Sequence, residues 1–396
     1  MRVGLDLWHA TLASGGIGRY AVELTKSLVA LNSEQPGVRY VLFPGRGPAE
    51  WITRMLAEHS PVVSLGTAYW KLPRAGIPAR VVRSTLCVAR RSRGLELNVL
   101  HCMDFLDVPL APLGKVRIVA TVHDISPILY PDTFTRRHAI FFRALARPLL
   151  HKAERLVTVS RSAASEIAEW DKTLREKLSV VYPGVGTEFR PAEPGIVDEL
   201  RKQYRLPRDY VLCLATVQPR KNLSRLLDAY AMLARRDPSF PLLAVAGRLG
   251  WLYRSFVQAI RDNRLENRIR YLGFVPDEHL PALLTGAKAL VFPSLHEGFG
   301  LPVLEAMACG TPVVTSNRSS LPEVAGDAAL LVDPLDVESI AWGIERIVAN
   351  SKLAAELVQR GFQRATRFSW ETAAREVLDV YRSCVSEFFT TRVVAG

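Results

Sequence analysis

The sequence lacks any apolar run of the roughly 18 to 20 residues that a helix needs to cross a bilayer. Its first twenty residues read as a strand and a loop and do not resemble a signal peptide, so we expect a chain that stays in the cytoplasm. Only five cysteines are present, and they are scattered without a C-x-x-C pair. This spacing indicates neither a disulfide framework nor a zinc site. No internal repeat or low-complexity segment occurs.

Two motifs of nucleotide-dependent enzymes are also missing. The first strand is followed by a glycine loop, Gly15–Gly18, that does not read G-x-G-x-x-G. The next strand, Arg39–Phe43, ends without the acid that holds a nicotinamide ribose, so a dehydrogenase is disfavoured. An Asp-x-Asp sequence is absent from the whole chain, so a bound divalent metal is not implied.

What is present describes a globular chain with an uneven distribution of charge. The 396 residues suffice for two domains of ordinary size, with 48% hydrophobic and 23% charged residues. The net charge is +12, and most of it lies in residues 1–190, where 26 Lys and Arg face 16 Asp and Glu. A basic surface of this kind suits nucleic acid, an anionic membrane or a polyanionic substrate, and composition alone does not choose among them.

Apolar strands alternate with helical segments along the chain, which predicts open parallel sheets. The pattern breaks at Pro183–Gly195, a Pro- and Gly-rich stretch typical of a linker, and starts afresh with the strand Tyr210–Ala215. We therefore predict an α/β protein with one Rossmann-like domain at residues 1–190, a second at 191–369, and a final helical segment at 370–396.

The stretch Pro293–Val314 contains the most informative pattern. It follows the apolar strand Ala289–Phe292, passes through a glycine loop and enters a predicted helix, Leu301–Cys309. The free N–H groups and the dipole at the start of such a helix favour an anionic ligand. Glu297 in the loop and Glu305 in the helix are placed to project toward one cleft. Each acid alone could be an ordinary solvated or dipole-complementing residue, but together with the loop glycines they suit the hydroxyls of a sugar.

These residues resemble the E-x7-E signature of retaining glycosyltransferases of family 4, which have the GT-B fold, and the match runs without a gap from Glu297 to Val314. The resemblance implies two Rossmann-like parallel-sheet domains facing each other across a cleft, the first binding the acceptor and the second the nucleotide sugar. It also implies that the final helix, at 370–396, crosses back to the N-terminal domain. It implies that Glu297 contacts the donor sugar and that Glu305 contacts the ribose of the nucleotide. The sugar and diphosphate would be held by the loop and first helical turn, namely Gly298, Phe299, Gly300 and Leu301.

The resemblance extends to two adjacent cations, Arg220 and Lys221, at a strand-to-helix turn. They match the family's diphosphate-binding pair, and such cations can neutralise a diphosphate, although surface charges would read the same way. One departure lies just before them. Relatives commonly carry Gly-Arg early in this loop, where this chain has Ala215 and Thr216, so one diphosphate contact is expected to be missing or replaced.

Three further positions follow from the resemblance. His123, which ends a predicted strand, matches a histidine that contacts the donor sugar near its reacting carbon, although a histidine there is often structural. Gly15 and Gly16 would face the donor diphosphate or the acceptor, and a tight turn is the alternative. The turn at Gly273 and Val275 would lie against the nucleobase, mostly through backbone atoms.

Two segments, Tyr69–Arg93 and Thr135–Arg155, carry the positive excess and mix it with apolar residues. Such segments suit the surface of an anionic bilayer, where each cation contributes roughly 1 kcal/mol, although a solvated helix face over a core would have the same composition. The cations that we expect at the membrane or the acceptor are Lys71, Arg74, Arg80, Arg83, Arg90, Arg91, Arg136 and Arg137.

The expected function is that of a retaining, metal-independent hexosyltransferase without a cofactor. We expect it to move mannose from GDP-mannose to a lipid-linked glycan, as a cytoplasmic protein bound peripherally to the anionic inner face of the cell membrane. The preference for mannose rests on similarity to bacterial mannosyltransferases of polysaccharide assembly. The alternative within the family uses a UDP-sugar on a soluble acceptor.

Two other classes fit less well. A nucleic-acid-binding protein is disfavoured because no stacking-aromatic or zinc motif accompanies the basic residues, so nucleic acid is not an expected partner. A nonenzymatic sugar-binding module would not need two cations facing a phosphate.

Overall fold

The computed structural model describes residues 1–10, 15–45, 49–59, 62–66 and 77–394. The strands in this part of the chain are β1 (Arg2–Leu7), β2 (Arg39–Pro44), β3 (Val63–Leu65), β4 (Val99–Cys102), β5 (Arg117–Val122), β6 (Arg155–Thr158), β7 (Leu178–Val180), β8 (Tyr210–Leu214), β9 (Leu242–Ala246), β10 (Ile269–Gly273), β11 (Ala289–Phe292), β12 (Val313–Ser316) and β13 (Leu330–Val332). They form one sheet in the order β3-β2-β1-β4-β5-β6-β7 and another in the order β10-β9-β8-β11-β12-β13.

Helices follow most of these strands, as expected for doubly wound sheets. They are α1 (Gly16–Glu34), α2 (Glu50–Glu58), α3 (Ile77–Arg83), α4 (Ala89–Gly94), α5 (Ser126–Leu129), α6 (Arg136–Lys152), α7 (Arg161–Trp170), α8 (Pro194–Gln203), α9 (Leu223–Arg236), α10 (Arg254–Asp262), α11 (Leu280–Thr285), α12 (Leu301–Ala308), α13 (Leu321–Ala325), α14 (Val337–Ala349), α15 (Ser351–Ala365) and α16 (Trp370–Val394). A π-helical turn, Ser84–Val88, joins α3 to α4. None of the helices described combines the length and the apolar character needed to span a membrane.

The chain divides into two compact units, each built on one sheet. The first unit contains Met1–Leu129, Arg136–Gly184 and the chain from Ser369 through α16. The second contains Val185–Phe368 together with a short earlier piece, Tyr130–Thr135. The division at Gly184 falls slightly before the one predicted at 190/191, and the place of Tyr130–Thr135 in the second unit was not predicted.

Every strand pair in both sheets is parallel, so the predicted α/β class with two parallel-sheet domains is confirmed. The central strands are buried on both faces, as in β11, where all four residues are buried. Strands covered by helices on two sides read as continuous apolar runs, which is why the sequence located them well. In the first unit, α16 packs along α1 and supplies the buried Tyr381.

Parallel strands bring all of their carboxyl ends to one edge of each sheet, where ligands of such folds gather. At this edge of the second sheet, the end of β9 lies tightly against the end of β8. Gly247 has a φ of +145°, and a Cβ atom there would lie 2.0 Å from the carbonyl oxygen of Ala215. Only glycine permits this approach, which fixes the loop that leads from β8 toward Arg220.

Candidate functional site

In the second unit, the loop after β8 carries the two predicted cations on a short 3₁₀ turn, Pro219–Lys221. The next residue, Asn222, is the N-cap of α9 and has left-handed backbone angles, which asparagine tolerates better than most residues. Its buried side-chain amide donates to the carbonyl oxygens of Pro293, at 3.0 Å, and Pro334, at 2.6 Å. The bond to Pro293 connects the cation-bearing loop to the residue that follows β11, where the loop that carries Glu297 begins.

Glu297 lies directly against both cations. Its Oε1 accepts from Lys221 Nζ at 2.5 Å, and its Oε2 accepts from Arg220 Nη1 at 3.2 Å. The side chains of Arg220 and Lys221 are only 12% and 13% exposed, and Glu297 is buried. Burial alone would raise the pKa of Glu297, but the Lys221 ammonium and the Arg220 guanidinium outweigh it and hold the pKa below its usual value. Glu297 is therefore a carboxylate at neutral pH.

The backbone around Glu297 is fixed as firmly as its side chain. Arg220 Nη1 also donates to the carbonyl oxygen of His296, at 2.6 Å. The Glu297 N–H donates to Ser319 Oγ at 3.0 Å, and the Ser320 hydroxyl lies 2.9 Å from the Glu297 carbonyl oxygen. A rigid loop of this kind holds a carboxylate and two cations in a preset geometry.

The helix α12 starts immediately after this loop. Gly300 is its N-cap with a φ of +111°, and a Cβ atom there would lie 2.7 Å from Leu321 Cδ2. The amino end of α12 carries the positive end of the helix dipole, which favours an anion. Pro302 has no N–H group, and the Val303 N–H donates to the Gly300 carbonyl oxygen at 3.0 Å. Glu305, in the same helix, is buried, as are Gly298 and Phe299 in the loop. The structure thus brings together Arg220, Lys221, Glu297 and the loop that leads into α12.

The turn predicted to face a nucleobase is at the end of β10. Gly273 has a φ of +68°, and nothing lies within 4 Å of a Cβ atom placed there. The Val275 side chain is buried, so only its backbone is available to a ligand. Phe274 is 47% exposed, and the Arg248 guanidinium covers its ring at 4.3 Å. The sequence analysis did not place Arg248 beside this turn, because no motif accompanies Arg248 in the sequence.

His123 belongs to the first unit, at the carboxyl end of β5. Its Nε2 donates to the carbonyl oxygen of Met103 at 2.9 Å, and the edge of the Tyr20 ring lies against it, with ring centroids 4.8 Å apart. Burial lowers the pKa of His123, and the Asp104 carboxylate offsets only part of this effect. The imidazole is neutral at pH 7, with Nδ1 as the hydrogen-bond acceptor. Gly15, the exposed N-cap of α1, and Gly16 lie in the same unit.

A cluster of buried charges beside His123 was not foreseen. Arg80 donates to both carboxylate oxygens of Asp107, at 3.0 and 2.9 Å, and lies 3.1 Å from Asp104. Burial alone would raise the pKa of Asp104, but Arg80 lowers it to about 2. Burial and Arg80 lower the pKa of nearby His9 to about 4. The members come from separate stretches of sequence, so no local motif could have revealed them.

This geometry corrects the prediction for two of the eight membrane cations. Arg83 is fully buried and donates to both carboxylate oxygens of Asp6, at 3.0 and 3.1 Å. The Arg80 side chain is only 12% exposed and pairs with Asp104 and Asp107. The prediction that Arg80 and Arg83 face a membrane is wrong, because α3 turns both toward carboxylates in the unit's interior. Exposed positions are Arg90, Arg91, Arg136 and Arg137, whereas Lys71 and Arg74 lie outside the described residues.

Comparison with known proteins gives consistent matches over nearly the whole chain. Residues 14–189 match the family model described as Glycosyltransferase Family 4, and residues 197–364 match the one described as Glycosyl transferases group 1. The chain is 35% identical over 374 residues to the O-antigen chain mannosyltransferase B of Escherichia coli, covering 93% of this chain and 96% of that protein.

Two further matches extend this picture. The MMP alpha-(1->4)-mannosyltransferase of Mycolicibacterium hassiacum is 31% identical, over 98% of this chain and 99% of its own. Among solved structures, sucrose-phosphate synthase from Thermosynechococcus elongatus aligns with a TM-score of 0.78 at 20% identity, covering 98% of this chain and all of that chain. At that identity the likeness supports the fold alone.

Proposed function

Because this chain belongs to glycosyltransferase family 4, we propose that it transfers mannose from GDP-mannose to a lipid-linked glycan with retention of anomeric configuration. That it is a glycosyltransferase of GT-B fold follows from its family. The donor, the acceptor and the stereochemistry are the proposal. Support for mannose comes from the similarity to the mannosyltransferases of Escherichia coli and Mycolicibacterium hassiacum. The name of the first describes it as an O-antigen chain mannosyltransferase.

The observation that carries the proposal is the ion-paired group of Arg220, Lys221 and the buried Glu297 beside the start of α12. Departure of a nucleoside diphosphate places negative charge on the leaving oxygen. Two fixed cations and the positive end of the α12 dipole, in a site shielded from water, would stabilise that charge without a metal ion. Glu297 would hold hydroxyls of the donor sugar, and Glu305 would hold those of the ribose.

We assign the remaining predicted residues on the same basis. Gly298, Phe299 and Gly300 would bring backbone N–H groups close to the diphosphate, and Gly273 would leave room for the base. His123 would offer its neutral Nδ1 to a sugar hydroxyl, with its tautomer fixed by the carbonyl of Met103.

A donor screen tests the catalytic half of the proposal. Purified protein is incubated with GDP-mannose, UDP-glucose or UDP-galactose in the presence of EDTA, and nucleotide release is followed with and without a glycan acceptor. Of the three donors, we expect only GDP-mannose to release its nucleotide. Turnover of UDP-glucose in place of GDP-mannose would refute the donor, and dependence on added magnesium would refute the role given to the cations.

The membrane half of the proposal is supported by an exposed surface of the first unit. The helix α6 exposes Ile140 and Phe141, at 58% and 44%, among exposed arginines. The segment from α3 to α4 exposes Val82 and Leu86, at 43% and 58%. The sequences 77–94 and 136–153 contain no acidic residue. Apolar side chains within an acid-free basic surface suit the headgroup region of an anionic bilayer.

Sedimentation with vesicles tests this surface. We expect binding to phosphatidylglycerol vesicles at low salt and none to phosphatidylcholine vesicles. Arg136→Gln with Arg137→Gln should weaken binding about 30-fold, at about 1 kcal/mol for each cation. Ile140→Glu with Phe141→Glu should abolish it, whereas Ile196→Glu, at an exposed apolar position of the second unit, should not change it. Equal binding by all of these variants would refute the assigned surface.

A further inference from the structure

The piece Tyr130–Thr135, here called the strap, belongs to the second unit although its flanking helices α5 and α6 belong to the first. Two sets of contacts hold it there. The Phe134 ring stacks on Trp251, with centroids 5.4 Å apart, and Trp251 Nε1 donates to the carbonyl oxygen of Thr133 at 2.8 Å. At the other end, the Tyr130 ring lies 5.1 Å from the His296 ring.

The two contact points lie on opposite sides of the strand that leads to the cations. Trp251 follows β9 and His296 follows β11, and the sheet order places β8 between these strands. Two strand spacings amount to about 10 Å. The strap includes a short 3₁₀ turn, and its two terminal rings add to the reach of its backbone. It therefore spans the carboxyl end of β8, which continues into Arg220 and Lys221.

Each contact point is itself bonded to the donor-binding loops. The carbonyl oxygen of His296 accepts from Arg220 Nη1 at 2.6 Å, and Glu297 is the next residue. The loop that carries Trp251 is paired with the loop after β8. The Val217 N–H donates to the Arg248 carbonyl at 2.8 Å, and the Gly250 N–H donates to the Val217 carbonyl at 3.0 Å. A displacement of either end of the strap would therefore reach the cation pair.

We propose that the strap is a positioning element of the donor site and that Tyr130 is its positioning residue. The Tyr130 ring packs against the His296 ring. It thereby holds in place the His296 carbonyl oxygen, which accepts a hydrogen bond from Arg220 and directly precedes Glu297. Phe134 and Trp251 anchor the far end. Tyr130 does not touch the reacting atoms, and its contribution is to keep the cations and the carboxylate in the geometry that accepts a nucleoside diphosphate. This inference rests on the proposed function of the same site.

The test compares Tyr130→Ala with Tyr130→Phe and with Tyr253→Ala. Tyr253 is a matched control, because it lies in the same unit and is 38% exposed, against 37% for Tyr130. Calorimetry measures the Kd for GDP, and initial rates give kcat and the KM for GDP-mannose. We expect Tyr130→Ala to raise the Kd for GDP and the donor KM about tenfold, since small misplacements of binding groups are costly. Tyr130→Phe should retain wild-type values because the ring contact remains.

A second variant separates positioning from simple loss of stability. Phe134→Ala removes the anchor, and we expect it to raise the Kd for GDP as Tyr130→Ala does, while the Kd for a vesicle surface stays unchanged. Unchanged GDP affinity in both variants, with Tyr253→Ala as reference, would overturn the inference and leave the proposed function intact. Failure of the wild-type protein to bind any nucleotide would overturn the proposed function, and the inference with it.

Discussion

At the scale of single residues, Glu297 illustrates why the site depends on pairing. A carboxylate buried without a partner costs several kcal/mol, and here two cations supply the compensation. Because the pKa of Glu297 is depressed, its contribution to stability is present above the unfolded value of 4.5 and is lost as pH falls through the folded value. The same cations are the ones expected to meet the diphosphate, so stability and function share one set of charges.

Removing Lys221 should therefore affect stability and activity in different ways. We expect Lys221→Met to lower the free energy of unfolding by roughly 2 to 4 kcal/mol, because Glu297 loses its nearer partner. Combining it with Glu297→Gln should recover most of that loss, since the unpaired carboxylate is gone. Both variants should lose about 100-fold or more in kcat. Urea unfolding and donor turnover measure the two effects, and a double variant no more stable than Lys221→Met would contradict the pairing argument.

Glu297, Arg220 and Lys221 could be picked out as candidates because each lies in a contiguous motif after an apolar strand, and the structure brings the three side chains together. It misjudged Arg80 and Arg83 because composition does not distinguish a cation in solvent from one buried against a carboxylate. Their partners, among them Asp6 and Asp107, lie far away in the sequence. No count of local charge could have supplied them.

At the scale of elements, α3 shows an inverted amphipathic pattern. Val82 is exposed, and Leu86, in the adjoining π-helical turn, is exposed as well, whereas Arg83 is fully buried. The Arg83 guanidinium donates to Asp6 and to the carbonyl oxygen of Phe43 at 3.3 Å, and it lies 4.8 Å from the Trp8 ring centroid. A rigid fork of donors can satisfy a buried carboxylate in this way, which lysine cannot reproduce. The element is therefore fixed by ion pairing at the position where an apolar residue would be expected.

This arrangement predicts a large difference between two conservative changes. Arg83→Lys should lower the free energy of unfolding by about 3 kcal/mol, because the buried Asp6 loses its bidentate partner. Arg90→Lys, at an exposed position of the same segment, should change it by less than about 0.5 kcal/mol. Urea unfolding curves of the two variants make the comparison. Similar effects from both would indicate that the Asp6–Arg83 pair contributes little.

At the scale of the whole molecule, the class of fold could be predicted from the sequence because strands covered on both faces must be continuously apolar. The strap could not be predicted, because it is six residues without periodicity between α5 and α6. Its ring contacts are with Trp251 and His296, which are more than one hundred residues away in the sequence. The orientation of α3 escaped prediction for the same reason, since its partners are distant carboxylates.

Buried histidines give the first unit a defined response to acid. Burial lowers the pKa of His101 to about 3, and burial with Arg80 lowers that of His9 to about 4, while burial also lowers the pKa of His123. In the unfolded chain each would take up a proton near pH 6.5, and in the folded chain each remains neutral. Below that pH the unfolded state therefore binds more protons, and the free energy of unfolding falls as pH falls.

Each such histidine should lower the free energy of unfolding by about 1.4 kcal/mol for every pH unit below 6.5, until its folded pKa is reached. We expect the urea midpoint to be constant between pH 7.5 and 8.5 and to fall steeply between pH 6 and 5. His101→Gln can still offer polar atoms to Tyr381 and Thr121, which now contact the His101 ring nitrogens at 2.6 and 2.9 Å. In this variant the unfolded state takes up one proton fewer, so the free energy of unfolding should fall less steeply with decreasing pH, by about 1.4 kcal/mol per pH unit. This difference in slope is expected even if the variant is less stable at pH 8. A wild-type midpoint that does not change between pH 7 and 5 would show that these imidazoles are protonated in the folded state.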